Sequence, residues 1–164
     1  MLEAEGLVAT TAQRGFRVTL ATKDDLCDTL MVRGELEKLA LTWATSRGDV
    51  AWEGRVIAMH HTLRKSEDAV AAGADDLVVL ERDEARRAFS EVLISTCESP
   101  RLIKIQARLF NQSRRFRMAL LREGWLDFAS RRERQRKLLD AVLERDTDTG
   151  LAVLAEDVEA EMKL

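Results

Sequence analysis

Lys23-Asp24-Asp25-Leu26-Cys27-Asp28-Thr29-Leu30-Met31-Val32-Arg33-Gly34-Glu35-Leu36-Glu37-Lys38-Leu39-Ala40-Leu41-Thr42-Trp43 contains no proline and repeats its apolar residues at intervals of three and four. A period of 3.6 gathers Leu26, Leu30, Leu36, Leu39, Ala40 and Trp43 into one stripe. Asp24 and Asp25 stand where acidic side chains favour a helix N-terminus, and the pattern runs on to Gly48. The segment reads as one long amphipathic helix. Arg33 interrupts its stripe at a core-facing position, where a charge must be paired or must line a cavity.

Downstream, the same period continues. A second helix is expected from about Asp49 to Ala72, carrying Trp52, Val56, Met59 and Leu63, with Gly73 closing it. A third spans roughly Asp75 to Cys97 through Leu77, Leu80, Phe89, Val92 and Leu93. Ser99-Pro100 then reads as an N-cap followed by proline at the first helical position. The fourth helix holds Leu102, Ile105, Leu109, Phe116 and Leu120 and ends at Gly124. A fifth covers about Leu126 to Arg145, and the caps Asp146 to Thr149 open a last helix with Leu151, Leu154, Val158 and Met162. Six amphipathic helices joined by short turns make an all-α antiparallel bundle.

Upstream, the texture changes. Leu7 to Thr11 and Phe16 to Leu20 are short β-branched segments flanking Ala12-Gln13-Arg14-Gly15, a hairpin signal. A hairpin of this size is marginal alone and needs a partner. Met1 to Glu5 reads as the end of a helix that Gly6 caps. The division is therefore residues 1–20 and residues 23–164.

Composition bounds the function. The 164 residues are 46% apolar and 34% charged, with a single proline, which describes a globular helical protein. A net charge of −3 gives no global attraction to nucleic acid or anionic lipid. No apolar run approaches the roughly 18 residues that span a bilayer, and the first residues lack the pattern of a signal peptide; the expected compartment is the cytoplasm. Cys27 and Cys97 read as reduced thiols rather than a disulfide. There is no Gly-rich phosphate loop, His-Glu-x-x-His or Gly-x-Ser-x-Gly, so an enzyme has little support.

Leu2-Glu3-Ala4-Glu5-Gly6-Leu7-Val8 followed by Gln13-Arg14-Gly15-Phe16-Arg17-Val18 resembles the end of a GntR-type winged helix-turn-helix. Arg33-Gly34-Glu35-Leu36-Glu37, Ala88-Phe89, Cys97-Glu98-Ser99-Pro100-Arg101-Leu102, Leu138-Leu139-Asp140-Ala141 and Arg145-Asp146 resemble, in order, the FCD sensor domain of that family. The resemblance implies a homodimeric, metabolite-responsive transcription regulator that takes a small carboxylate inside the bundle. It also implies that Arg14 and Gly15 form the tip of the wing that approaches DNA. An arginine matching Arg33 commonly meets the effector in the family.

Many relatives hold a divalent metal with one Asp and three His at positions matching Arg86, Ser90, Gln135 and Asp157. None of those histidines is present here, and the first carboxylate is an arginine. His60 and His61 are neighbours, about 100° apart around one helix, and read as one partly buried and one solvated residue. No bound metal or other cofactor is expected. Arg86 is open to three readings: a carboxylate clamp in place of the ion, an ion pair with Asp157 that closes the pocket, or a solvated side chain. Arg33 meets a ligand, an internal acid or a dimer partner. Gln112 and Gln135 fall beside apolar neighbours and either meet a ligand or satisfy backbone and water.

Arg101, Arg108, Arg115 and Arg122 recur every seven residues, and with Arg114 and Arg117 they read as a basic face of the fourth helix that is solvated or meets an acidic partner. The run Arg131 to Lys137 reads the same way. The leading reading is an effector-binding and dimerisation domain; the rival is a helical interaction module that senses nothing. A winged helix-turn-helix places a helix in the major groove before its wing, and that helix is mostly absent from these 164 residues. By themselves they are expected not to bind an operator specifically. A gel-shift titration showing tight, sequence-dependent binding by this chain alone overturns that expectation.

Overall fold

Six of the helices start where a short polar side chain takes over an unpaired backbone N–H. Thr22, Asp49, Asp75, Ser99, Asp127 and Asp146 accept from the first turns of their helices, which satisfies donors that the helical ladder leaves free. The structure, a computed structural model, describes residues 8–11, 15–18, 22–73 and 75–163. Among them the chain forms a hairpin of β1 (Val8–Thr11) and β2 (Gly15–Val18), then α1 (Lys23–Arg47), α2 (Val50–Ala72), α3 (Asp76–Ile94), α4 (Pro100–Gln112), α5 (Arg114–Arg122), α6 (Phe128–Leu143) and α7 (Thr147–Met162). The strands pair antiparallel, Val8 opposite Val18 and Thr11 opposite Gly15. Arg14 lies outside the described residues, as does the expected helix end at Met1 to Gly6.

The bundle is built on α1, which packs against α7, α4 and α3, while α2 lies against α3 and α6. One end of the interior is apolar, with Leu41, Ala44, Trp52, Val56, Phe89, Leu93, Leu138 and Val142 in contact. Trp52 is wholly buried and its indole N–H donates to the Val92 carbonyl at 2.8 Å. Both cysteines are free, Cys97 inside this cluster and Cys27 half-buried.

The expected fourth helix is two helices. Arg117 reaches back with Nη1 to the Phe110 carbonyl and to Ser113 Oγ, both at 2.6 Å. Ser113 Oγ in turn donates to the Phe110 carbonyl at 3.0 Å. A guanidinium and a serine hydroxyl thus bond carbonyls on which a continuous ladder would draw, and the axis breaks at Ser113. α5 begins without a side-chain cap. Its end is the expected one: Gly124 at φ 69 sets a left-handed turn, with Trp125 N–H donating to the Leu120 carbonyl and Gly124 N–H to Leu121. Arg145 occupies the corresponding left-handed position after α6 at φ 58. The guanidinium bonds to the Thr45 carbonyl and Glu53 hold this non-glycine residue there.

Several apolar residues expected inside face out. Leu39, Leu77 and Leu80 are exposed. On α3 the buried face is instead Val79, Arg82, Asp83, Arg86, Phe89, Ser90 and Leu93. Charged side chains occupy interior positions that a hydrophobic count gives to leucine, so the stripe is displaced around the helix.

Gly48 provides a test of the apolar end. A Cβ there would meet Trp52 Cε3 at 2.1 Å, and the fully buried indole has no room to yield. Gly48→Ala is expected to destabilise by about 1–3 kcal/mol through overpacking, read as a Tm lower by roughly 4–8 °C. An unchanged or higher Tm contradicts the packing described.

Candidate functional site: a buried arginine–carboxylate network

Among the described residues, Arg33, Arg82, Arg86, Arg117 and Arg131 are buried, and so are Glu37, Glu67, Asp83, Asp157 and Glu161. Six helices supply them: α1, α2, α3, α5, α6 and α7. Charges of this kind are tolerated inside only when paired and hydrogen-bonded. Arg33, 2% exposed, donates to Glu161 at 2.8 Å and to Ser113 Oγ at 3.3 Å, and stands 3.5 Å from Glu37. Arg131 donates to the other Glu161 oxygen at 3.1 Å. Arg117 Nε donates to Asp83 at 2.9 Å, and its guanidinium lies 3.8 Å from the centre of the Phe110 ring. Arg82 donates to Glu67 at 3.1 Å, both residues being fully buried.

The four positions aligned with the family's metal set come together on the inside. Arg86 Nη2 donates to Asp157 Oδ2 at 2.6 Å, and Arg134 Nε donates to Oδ1 at 3.1 Å. Ser90 Oγ donates to Glu37 at 3.1 Å, and the Gln135 amide donates to Glu67 at 3.2 Å. This donor set does not fit a divalent ion. It offers a permanent cation, a hydroxyl, an amide and one carboxylate whose two oxygens are already bonded to guanidinium groups. His60 is half-buried on α2 with its ring 5.9 Å from Phe89, and burial together with Arg64 lowers its pKa; His61 is exposed. Among the described residues no cluster of three or more His, Cys, Asp or Glu is placed to hold a metal ion.

The electrostatics follow from crowding opposite charges in a dry space. Desolvation alone would raise Glu161 and Asp157, but Arg33 and Arg131 beside Glu161, and Arg86 and Arg131 beside Asp157, outweigh it and hold both below the usual carboxylate range. Burial would lower Arg33, yet Glu161 and Glu37 raise it above the ordinary arginine value. Burial prevails at Arg82 and Arg117, which are pushed down to about 10. All remain charged at neutral pH.

Of the residues singled out in the sequence, Arg33, Arg86, Ser90, Gln135 and Asp157 lie in this network. Gln112 does not join them: it ends α4 half-buried. The interior amide of that helix is Gln106, 1% exposed, which donates to Glu37 at 2.7 Å and Ser90 at 2.9 Å. Arg117 and Arg131, expected on solvated faces, are buried. The break at Ser113 turns Arg117 inward, and Arg131 lies one helical turn before Gln135 on α6, on the same buried face. Arg101, Arg108 and Arg122 are exposed as expected, Arg122 pairing with Asp76 at 2.9 Å. Gly15 is the first residue of β2.

The FCD domain model matches residues 28–160. The chain belongs to the FCD domain family. Among curated proteins, this FCD chain is 32% identical over 149 residues to the HTH-type transcriptional repressor GlaR of Escherichia coli K12, covering 89% of the chain and 66% of that protein. It is 30% identical over 164 residues to the HTH-type transcriptional regulator BphR of Paraburkholderia xenovorans, covering all of the chain and 66% of that protein. The chain thus spans just under two thirds of the length of both. Two solved structures share the fold of this FCD chain at 18% identity. One is a GntR-family transcriptional regulator of Pseudomonas syringae (TM-score 0.72, 99% of this chain and 64% of that one). The other is McbR/YncC of E. coli (TM-score 0.77, 97% and 76%). Their likeness to this FCD chain is one of fold.

Glu161 and Asp157 stay ionised in the folded state at pH values where the unfolded chain takes up protons. Their stabilisation is complete above about pH 5 and is lost as pH falls through the depressed folded values. Glu161→Gln strands Arg33 and Arg131 and is expected to cost about 3–5 kcal/mol. It also makes the acid limb of a pH–stability curve shallower. A variant as stable as the parent, with an identical acid limb measured by denaturant titration, contradicts the network.

Proposed function

We propose that this chain is the effector-sensing and dimerisation half of a metabolite-responsive transcription regulator, and that it takes a small organic acid among its helices. The observation that carries the reading is the set of five buried arginines in an FCD bundle, at and around the positions where relatives hold a metal ion. Guanidinium groups bind carboxylates bidentately, so an arginine-rich interior supplies by itself the grip that an ion supplies elsewhere. Arg33, Arg86, Ser90, Gln135 and Asp157 are the candidate ligand contacts, with no metal or other cofactor. The Asp157 carboxylate already sits on Arg86 as a ligand carboxylate would. An acid that displaced it would release α7 from α3, and its different affinity for the two arrangements would shift DNA affinity.

The hairpin fits the wing of a DNA-binding domain, in which Gly15 opens β2; Arg14 is a candidate DNA contact on the resemblance alone. DNA binding, homodimerisation, a cytoplasmic location and the absence of catalysis belong to the same proposal and rest on the relatives, named as bacterial transcriptional regulators. Among the described residues no helix is long and apolar enough to cross a membrane. One observation favours the rival interaction module: the charged interior is closed, and the space beside Arg33 and Arg86 is filled by Glu161, Glu37 and Asp157.

Thermal-shift screening against organic and sugar acids, with chelator and divalent metals as controls, separates the readings. Selective binding to the folded state raises Tm; one chemical class of acid is expected to do so by several degrees, and metals are not. If no acid shifts Tm, the interaction module replaces the sensor. Stabilisation by a metal that chelator reverses would overturn the substitution of arginine for the ion.

A further inference from the structure

α1 is flanked by two helices whose outer faces carry opposite charge. It meets α4 at Arg33 and Glu37, through Ser113 and Gln106, and α7 at Gly34 and Leu41, beside Val158 and Gly150. On α4, Arg101, Lys104 and Arg108 are exposed at intervals of three and four, around an Ile105 that is 50% exposed. On α7, Asp148, Glu156 and Glu159 are exposed. Among the described residues none of these six charged side chains joins an ion pair. Between the two ridges α1 presents Met31, Val32 and Leu39, each more than two-fifths exposed. An open groove of about 550 Å³ lies beside them, between α1 and α7, with Met162 at its edge. A basic ridge, an apolar strip and an acidic ridge thus lie side by side on one face.

We propose that two copies of this chain meet on this face about a two-fold axis running along α1, α4 of each lying on α7 of the other; this rests on the dimerisation reading and adds its surface and symmetry. An exposed apolar strip rimmed by charge is what an interface presents before it is covered. A two-fold contact applies one patch to itself, so the patch must be complementary under the rotation. An axis across α1 sets α4 on α4 and α7 on α7, like charge on like, which is repulsive. An axis along α1 exchanges the flanks and sets cations on anions at both edges.

That axis also keeps heights along α1, and the charges match in height. Both flanking helices run opposite to α1: Gln106 is level with Glu37 and Ser113 with Arg33, while Gly150 is level with Leu41 and Val158 with Gly34. Arg108, two residues beyond Gln106, and Glu156, two residues before Val158, therefore both fall between the levels of Gly34 and Glu37. Arg101 and Asp148 both lie further towards the C-terminal end of α1. Glu35, the acid within the strip, is already bonded to Lys38 at 2.7 Å. With the axis along α1 the two copies of α1 are parallel, so the segments that precede them in sequence leave the pair from the same end.

The test measures self-association of the whole 164-residue chain by sedimentation equilibrium. Lys104→Glu with Arg108→Glu reverses the basic ridge, and Glu156→Lys with Glu159→Lys reverses the acidic one. All four side chains are exposed, so circular dichroism is expected to show the same helical content in both double variants. Each double variant alone sets like charges on both edges, and its dimer is expected to dissociate with a Kd roughly tenfold or more above that of the parent. Mixed in equal amounts, the two are expected to form a heterodimer close to parental affinity, since each reversed ridge then meets its opposite. If the parent dimerises and either double variant does so as tightly, the copies meet elsewhere; this inference falls and the dimerisation reading stands. The same holds if both variants weaken and the mixture does not recover. If the parent itself stays monomeric, the dimerisation reading falls as well.

Discussion

Glu161 holds the bundle together from the inside. It lies near the end of α7, and its two oxygens are taken separately by Arg33 of α1 and Arg131 of α6. The first helix of the bundle is thereby fixed in register with the last two. Asp157, one turn earlier on α7, does the same for α3 and α6 through Arg86 and Arg134. Hydrophobic contact is non-directional and leaves such helices free to slide; paired charges in a dry space do not. The price is desolvation, which is recovered only when every partner is present and well oriented.

The same feature explains what could be read from the sequence. The helical class, most helix starts and the turn at Gly124 were legible, because caps, proline and glycine act locally. Arg33 was legible as a buried charge because it interrupts a clean apolar stripe. The Arg86–Asp157 pairing was one of three open readings, since spacing alone says nothing about contacts across 71 residues. Arg117 and Arg131 were not legible. Both sit in basic runs that look like solvated faces, and only the tertiary break at Ser113 and the carboxylates of α3 and α7 draw them inward. Glu37, Glu67 and Gln106 gave no signal, since isolated polar residues on amphipathic helices are ordinarily outside.

Membership of the FCD family and the identity of the interior pull in different directions. The backbone follows the family bundle, while the side chains at the family's metal positions form hydrogen bonds and ion pairs among themselves. A fold can keep its frame while the chemistry of its site is exchanged. Here one of those positions is a guanidinium, and it is paired with the carboxylate at another.

Sharing Glu161 and Asp157 between two arginines each has a consequence for how substitutions combine. Arg33, Arg131, Glu161, Asp157 and Arg86 form one connected object, so removing a second member after a first does not repeat the first loss. Two changes that each cripple the bundle could together restore much of it, by leaving no charge stranded. The interior therefore answers to its balance of charge as a whole and not to any one side chain.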